Sequence, residues 1–454
     1  MATSREMTEG RALPLIFNFT LPLLLGNLLQ QTYSLVDAAI VGKFLGINAL
    51  ASVGASTSVI FLILGFCNGC CGGFGIPVAQ KFGARDYITM RRYVAVSLQL
   101  AAVMSVVLAV VTSICCADIL RMMRTPDNIF TGAYYYLLVT FIGVPCTFFY
   151  NLLSSIIRAL GDSKTPFWFL LIVVILDMAL NPLFIFGWGP IPSLGVFGVS
   201  LSTSLSKGIG LLIIFVLFKT QLPVKLSWQY LRPFPWQTLK GLLHISVPSG
   251  GETLSYQLSQ TTIMKMVNVF GLVVINTKVY AYIVAMFCYM YTIALANAAQ
   301  IIVGFLVGAD REEEISRRVW RTMWFGMAIS IALATTFYIF SDHIFSIFTD
   351  DPEVLKLGHT ILLIEIFLEI GRSVNIIMVQ CLQAAGDIRT PMFVGIFGMW
   401  LCAVNLAYIL GIHLGWGLVG IWIAMAIDEC VRALIFVWRW HSGKWKNRKL
   451  IAPA

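Results

Sequence analysis

The sequence is poor in charge. Asp, Glu, Lys and Arg make up 12% of its 454 residues, about half of the roughly 25% that a soluble protein carries. Hydrophobic residues reach 58%, and the mean hydropathy is +0.84. This composition excludes disordered, collagen-like and disulfide-scaffold chains. It indicates a membrane protein, in which Gly allows close helix packing and Trp and Tyr lie at the lipid interfaces.

Several kinds of chemistry are also excluded by what is missing. The chain has no Gly-x-x-x-x-Gly-Lys-Ser/Thr loop and hence no ATP motor. Its five His form no His-x-x-x-His pair, and Cys67-x-x-Cys70 has no second pair, so we expect no zinc site. All ten Cys lie in apolar runs, which argues against an extracellular disulfide framework. We therefore expect no enzyme and no cofactor.

Apolar runs long enough to cross a bilayer, about 20 residues each, occur twelve times. We predict an all-α membrane protein with twelve transmembrane helices, and an even number places both termini on one side. The first residues are too polar for a secretory signal, and no small-residue cleavage pattern follows. The predicted spans are 14–41, 50–79, 93–117, 129–157, 167–188, 196–218, 242–267, 277–305, 320–340, 354–382, 392–412 and 417–438.

The net charge of +9 comes from an unequal distribution of basic residues between the two sides. Most of the 31 Lys and Arg fall on the side of the termini. The opposite side has Lys43, Arg121 and Arg124, joined by Lys265, Lys278 and Lys356 if span ends are included. Because cytoplasmic loops carry the excess of Lys and Arg, we expect both termini in the cytoplasm and no nucleic-acid partner.

An internal repeat divides the chain. Gly161-Asp-Ser-Lys-Thr-Pro166 recurs 225 positions later as Gly386-Asp-Ile-Arg-Thr-Pro391. Three more pairs follow in the same order: Gly83-Ala84 with Gly308-Ala309, Thr125-Pro126-Asp127 with Asp351-Pro352-Glu353, and Gly195-Val-Phe-Gly198 with Gly417-Leu-Val-Gly420. The hexapeptide suits a helix end followed by a capped helix start, so we interpret it as architecture rather than a substrate contact.

The repeat predicts two parallel six-helix halves related by an axis along the membrane normal, with a central site between them. The predicted domains are 1–218 for the N-terminal lobe with the cation-coupling cavity, 219–241 for a cytoplasmic linker, 242–438 for the C-terminal lobe and 439–454 for a basic cytoplasmic tail.

Ionisable residues inside the spans are costly, at about 2.5 to 3.5 kcal/mol each, so we expect them to be paired or functional. The ionisable residues do not recur at the repeat offset of 225. This indicates that the two halves share a helical scaffold but have different functional residues. The ionisable residues are Asp37, Asp177, Lys207, Glu252, Glu365, Glu369, Arg372, Asp428, Glu429 and Arg432.

The first half carries a candidate cation-coupling group. Asp37 lies near the end of span 1, Asp177 and Asn181 lie one turn apart on span 5, and Thr203 and Lys207 lie one turn apart on span 6. Carboxylate, amide and hydroxyl oxygens at Asp37, Asp177, Asn181 and Thr203 suit a proton or Na⁺, with Lys207 as a competing internal cation. The alternative is an Asp177–Lys207 ion pair that only holds two helices together.

In the second half, each base has an acid three or four residues away. We expect Glu369 with Arg372 and Asp428 with Arg432 to neutralise each other, as structural pairs more than functional ones. Glu252 and Glu365 have no evident partner and are candidate cation contacts. Aromatic and Met side chains are candidates for apolar substrate contacts or for plain packing: Tyr33, Phe149, Tyr150, Tyr256 and Met286.

Several motifs, in order along the whole chain, resemble the multidrug and toxic compound extrusion (MATE) family. They are Ser34-Leu-Val-Asp37 with the run from Val41 to Ala51, Gly83-Ala-Arg-Asp86, Arg158-Ala-Leu-Gly-Asp162, and Glu369-Ile-Gly-Arg372 through Asn375 to Ala384-Ala-Gly-Asp387. The resemblance implies a V-shaped two-lobe transporter. It would be a multi-pass antiporter of the plasma (inner) membrane, and we expect it to be monomeric. It would export small organic cations in exchange for H⁺ or Na⁺.

The resemblance also assigns residues. The family's acid on span 1 corresponds to Asp37 and its span-6 threonine to Thr203. Members often carry Asn and then Asp on span 5, whereas here Asp177 precedes Asn181. Glu252 matches the span-7 acid loosely, and Arg372 stands where one branch has an aspartate. Among the substrate-cavity candidates are therefore Tyr33, Tyr150, Glu252, Tyr256, Met286, Glu365, Glu369 and Arg372.

Other functions fit less well. A flippase for lipid-linked oligosaccharide shares the broad fold but often has extra spans and basic cavities, whereas the first half here is acidic. A metabolite porter of the major facilitator type is expected to carry Gly-x-x-x-Asp-Arg-x-Gly-Arg after span 2, where this chain has the run from Gln80 to Asp86. A channel would lack a fixed ratio of ion to substrate.

Overall fold

The computed structural model describes residues 12–187, 192–221 and 235–446. The first residues, most of the predicted linker and the end of the predicted tail lie outside these ranges. Within them the chain is helical and contains no strand.

Long helices follow one another with short connections. In chain order they are α1 (Ala12–Ile40), α2 (Ile47–Gly83), α3 (Tyr87–Ile114), α4 (Cys116–Met122), α5 (Asp127–Ile142), α6 (Val144–Ala159), α7 (Lys164–Phe186), α8 (Gly195–Gln221), α9 (Trp236–Val267), α10 (Leu272–Gly308), α11 (Glu312–Ile339), α12 (Ser341–Ser346), α13 (Pro352–Ala384), α14 (Arg389–Phe397), α15 (Asn405–Ala407) and α16 (Gly417–His441). π-Helical turns extend α1 through Val41–Leu45 and surround α15 at Gly398–Val404 and Tyr408–His413.

Each predicted span overlaps one long helix or, at 93–117, 129–157 and 392–412, consecutive helical segments. Among the described residues, seven helices are long and apolar enough to cross a membrane, and α5 with α6, bent by 47°, forms an eighth candidate. The remaining long helices, α1, α9, α13 and α16, are diluted by polar or charged side chains, many of them buried. The predicted all-α membrane fold is confirmed.

Unusual backbone conformations follow the repeat more closely than the side chains do. Gly46 and Gly271 have φ of 86° and 90° and lie 225 positions apart, as do Arg85 and Asp310, with φ of 59° and 60°. Gly46 and Gly271 each begin a 37-residue helix, α2 and α10. A side chain is strained at positive φ, so Gly suits both breaks. The duplicated features are therefore the points where the chain stops and restarts a helix.

The chain forms two compact units. The first unit comprises Leu25–Gly250, and the second comprises Gly251 onward together with described residues before Leu25. In the first unit, apolar clusters form around Leu137 and Phe141 and around Val41 and Val199. In the second, a larger cluster joins α9, α10, α13 and α16. The predicted domain boundaries themselves stay predictions.

Candidate functional site

In the first unit, α1 and α7 exchange two hydrogen bonds between polar side chains. The Tyr33 hydroxyl on α1 donates to Asp177 Oδ2 on α7, and the Asn181 amide on α7 donates to Asp37 Oδ1 on α1. Both pairs are separated by 144 positions. Tyr33 with Asp37, and Asp177 with Asn181, are one helical turn apart, so each helix presents both groups on one face. We call this arrangement the α1–α7 ladder.

Helix α8 closes the ladder from a third direction. The Ser202 hydroxyl donates to Asn181 Oδ1 at 3.0 Å, and Thr203 Oγ1 lies 3.2 Å from the Tyr33 hydroxyl. Asp177 and Asn181 are buried, whereas Asp37 and Tyr33 are partly exposed. The carboxylates thus accept hydrogen bonds from uncharged donors, and Asp177 Oδ1 is buried without a hydrogen-bond partner among the described residues.

The predicted cation-coupling residues Asp37, Asp177, Asn181 and Thr203 therefore lie together. Lys207, the fifth, interacts electrostatically with Asp177 but makes no ion pair within 4.0 Å in the described part of the chain. The alternative, an Asp177–Lys207 ion pair, is not formed among the described residues in this conformation, in which the Ser202–Asn181 bond links α7 and α8.

The side chains proposed as apolar substrate contacts differ in how far they are exposed on the protein surface. Tyr150 on α6 is buried, and its ring packs against Gly210 of α8, where an added Cβ would lie 3.4 Å from it. It therefore fills the interior of the first unit. Met286 on α10 is partly exposed, as is Phe149.

In the second unit, Arg372 binds two acids of its own helix. Its Nη1 atom lies 2.7 Å from Glu365 Oε1 and 2.5 Å from Glu369 Oε1. Trp422 of α16 donates to the other oxygen of Glu365 at 2.6 Å, and the Tyr289 ring lies 5.0 Å from the guanidinium. The expectation that Glu365 lacks a partner is wrong, because residues seven apart also share one face of a helix.

Arg432 of α16 holds a second pair of acids. Its guanidinium lies 2.5 Å from Asp428 Oδ2 and 2.9 Å from Glu429 Oε1. The Asn375 amide of α13 donates to Glu429 as well. All four side chains are buried. The predicted pair of Asp428 with Arg432 is formed, with Glu429 as a further partner.

Glu252 of α9 accepts a hydrogen bond of 3.0 Å from Gln383 of α13, so it too has a partner that the sequence did not indicate. Tyr256, one turn along α9, is partly exposed. The residues missed from the sequence are the uncharged donors Ser202, Asn375, Gln383 and Trp422. The only signal for them is the rule that a buried carboxylate needs a donor, which does not say where that donor lies.

Among the residues that the structure describes, no group of three or more His, Cys, Asp or Glu is arranged to hold a metal ion. A Na⁺ at the ladder would therefore depend on amide and hydroxyl oxygens beside two carboxylates. The Asn181 oxygen accepts from Ser202 and its nitrogen faces Asp37, so the amide offers Asp37 a donor rather than a further cation ligand.

Comparisons with known proteins agree with this architecture. The family model MatE matches twice, over residues 22–183 and 248–409, which confirms the duplication. The uncharacterized transporter YisQ of Bacillus subtilis is 30% identical over 434 residues, covering 95% of this chain and 94% of the relative. The probable multidrug resistance protein YoeA of the same organism is 29% identical over 462 residues, covering 99% of each.

Solved structures share the fold. A MOP superfamily transporter from Pyrococcus furiosus, described as having a binding pocket of reverse polarity, matches with a TM-score of 0.89 and 22% identity over 97% of this chain and 98% of its own. A MATE transporter in a bent conformation matches with a TM-score of 0.89 and 21% identity over 98% of each chain. The chain belongs to the MatE family of membrane transporters and is not an enzyme.

Proposed function

We propose that this transporter is a secondary active antiporter that exports cationic amphipathic organic compounds in exchange for an inward-moving ion. Relatives named as probable multidrug resistance proteins support the substrate class. The observation that supports the proposal most is the α1–α7 ladder, where two acids inside predicted spans meet uncharged donors and one Asp177 oxygen has no hydrogen-bond partner among the described residues. Such a carboxylate can take up and release a cation, because no arginine in the described part of the chain is paired with it.

The mechanism uses competition for the same negative charge. An organic cation is attracted to the ionised carboxylates of the first unit. When the ion arriving from outside neutralises carboxylate charge in the ladder, that attraction weakens, α1, α7 and α8 repack, and the cation leaves outward. Each charge that moves inward through 100 mV supplies about 2.3 kcal/mol.

The proton is the ion that the ladder favours. Asn181 presents its amide nitrogen to Asp37, and Tyr33 presents its hydroxyl hydrogen to Asp177. Both would repel a Na⁺ at those oxygens, whereas a proton needs only one lone pair. Sodium coupling is the alternative, with ligands from Asp37, Asp177, Asn181 and Thr203.

Partly exposed side chains supply the apolar contacts in this proposal: Tyr33, Tyr256 and Met286. Glu252, Glu365, Glu369 and Arg372 have partners of their own, so we assign them a smaller share of the binding energy. The protein would act as a monomer in the plasma (inner) membrane, with cytoplasmic termini. A lipid-linked oligosaccharide flippase is the alternative, although the acidic ladder disfavours phosphate-bearing substrates. The MatE match overturns the other alternative, a metabolite porter of the major facilitator type.

The test is ethidium transport in proteoliposomes under an imposed pH gradient or an imposed Na⁺ gradient. We expect the pH gradient to drive ethidium exchange in wild type and Asp37→Asn to reduce it at least a hundredfold. Asp118→Asn is the matched control, because Asp118 is exposed and its ion pair among the described residues is with Arg121 at the surface. Wild-type exchange rates in a well-folded Asp37→Asn protein would overturn the Asp37 assignment, and no response to either gradient would overturn the antiporter.

A further inference from the structure

Contacts between α7 and α8 place Lys207 at the level of Asp177. The two helices run antiparallel: Gly198 packs on Phe184, Ser202 bonds to Asn181, and further along, Gly210 packs on Val173. Between these last two contacts, the register brings Ser206 and Lys207 opposite Asp177. Lys207 also lies one turn beyond Thr203, on the face of α8 that meets the ladder.

Two polar groups at this level are buried and lack hydrogen-bond partners among the described residues: Asp177 Oδ1 and Ser206 Oγ. Lys207 in turn makes no ion pair within 4.0 Å in the described part of the chain, although it interacts electrostatically with Asp177. An ammonium group has three donors on a flexible stem of four carbons, and one ammonium satisfies both oxygens at once.

The charged groups around Asp177 and Lys207 determine how many exchangeable cations this part of the protein needs for neutrality. Asp37 and Asp177 face it from α1 and α7, and Lys207 faces it from α8. Tyr33 and Tyr136 add hydroxyl groups that interact with both acids. Lys207 therefore balances one of the two carboxylates, and the exchangeable cation balances the other.

We propose that Lys207 is a tethered cation that binds Asp177 whenever Asp177 is ionised, so that Asp37 alone exchanges its proton for substrate. This assignment rests on the antiporter function proposed above and adds its stoichiometry. One proton moves inward for each monovalent organic cation moved outward, and no net charge crosses the membrane. Without the lysine, both carboxylates exchange protons, and one net charge moves inward in each cycle.

The experiment measures the steady-state ethidium gradient in proteoliposomes at a fixed pH gradient while a K⁺ diffusion potential, set with valinomycin, is varied. For wild type we expect no dependence on the potential. For Lys207→Gln we expect the gradient to change about fiftyfold per 100 mV, the effect of one net charge. Lys207→Arg keeps the tethered charge, so its ethidium gradient should also be independent of the potential.

The double variant Asp177→Asn with Lys207→Gln is the decisive control. It removes both the tethered cation and its carboxylate, so transport should again be independent of the potential. A wild-type gradient that follows the potential overturns the proposal, and so does a coupled Lys207→Gln protein that ignores it.

The first of these results needs no variant, so the proposal stays testable if Lys207→Gln fails to fold. Failure of the proposed antiporter function looks different: wild type then moves no ethidium in response to the pH gradient at any potential.

Discussion

The two units of this transporter hold their buried acids in different ways. In the first unit, Asp37 and Asp177 accept hydrogen bonds from an amide and a phenol, and the nearby Lys207 makes no ion pair within 4.0 Å among the described residues. In the second, Arg372 and Arg432 each bind two acids at 2.5–2.9 Å. Neutral donors leave a carboxylate able to exchange its counter-ion, whereas a fixed guanidinium occupies it permanently.

The two units can hold their acids differently because duplication preserves the helical scaffold but not the individual charged side chains. The glycines at helix boundaries recur with the repeat: Gly46 corresponds to Gly271, and Gly161 corresponds to Gly386. They recur because each half must interrupt its helices at the same places. The charged side chains are not bound by that requirement. We infer that one half kept exchangeable charge while the other used its charge to hold α13 and α16 together.

The largest expected effect comes from removing one basic side chain from each unit, Arg432 from the second and Lys207 from the first. Arg432→Met leaves Asp428 and Glu429 buried without a base, and breaking a buried ion pair in this way costs about 3–5 kcal/mol of unfolding free energy. Lys207→Met breaks no ion pair formed among the described residues, and Asp177 can take up a proton once the lysine is gone, so the loss should stay below about 1 kcal/mol. Denaturant unfolding in detergent measures both. Equal losses in the two variants would erase the distinction between the units.

The repeated hexapeptide offers a second matched pair with a smaller effect. Asp387 is fully buried and accepts from Arg439 of α16 at 2.6 Å as well as from Thr390, whereas Asp162 is partly exposed and bonds Thr165 and the backbone of Lys164. We expect Asp387→Asn to cost about 1.5–3 kcal/mol, since a charged hydrogen bond is lost. Asp162→Asn keeps a capping side chain and should cost at most about 1 kcal/mol. A larger loss at Asp162 in the same unfolding assay would contradict this ranking.

The smallest expected effect concerns one hydroxyl of the ladder. Tyr33→Phe removes the donor to Asp177 and keeps the ring, a loss of about 1 kcal/mol that should slow ethidium exchange roughly fivefold. Tyr135→Phe is the control, because Tyr135 is exposed and its hydroxyl makes no hydrogen bond to the described residues. If both variants exchange ethidium at the same rate, the Tyr33–Asp177 bond does not contribute to transport.

Much of the fold was predictable from the sequence, because span length, apolar composition and repeated helix breaks are local properties. Asp37 and Asp177 were also predictable, since an isolated charge in an apolar run is costly wherever the helix packs. Ion-pair partners were predicted correctly from the sequence only where both residues lie on the same helix. Glu369 with Arg372 and Asp428 with Arg432 were found from spacings of three and four, and Glu365, seven residues from Arg372, was missed.

The sequence alone therefore determined that this is a duplicated, multi-pass α-helical transporter, and which side chains are out of place in lipid. Only the tertiary structure decided which groups those side chains meet: Tyr33 with Asp177, Asn181 with Asp37, Trp422 with Glu365 and Gln383 with Glu252. The physical reason is that these donors are uncharged and common in sequence. Their importance comes from the register between helices distant in the chain, and packing sets that register.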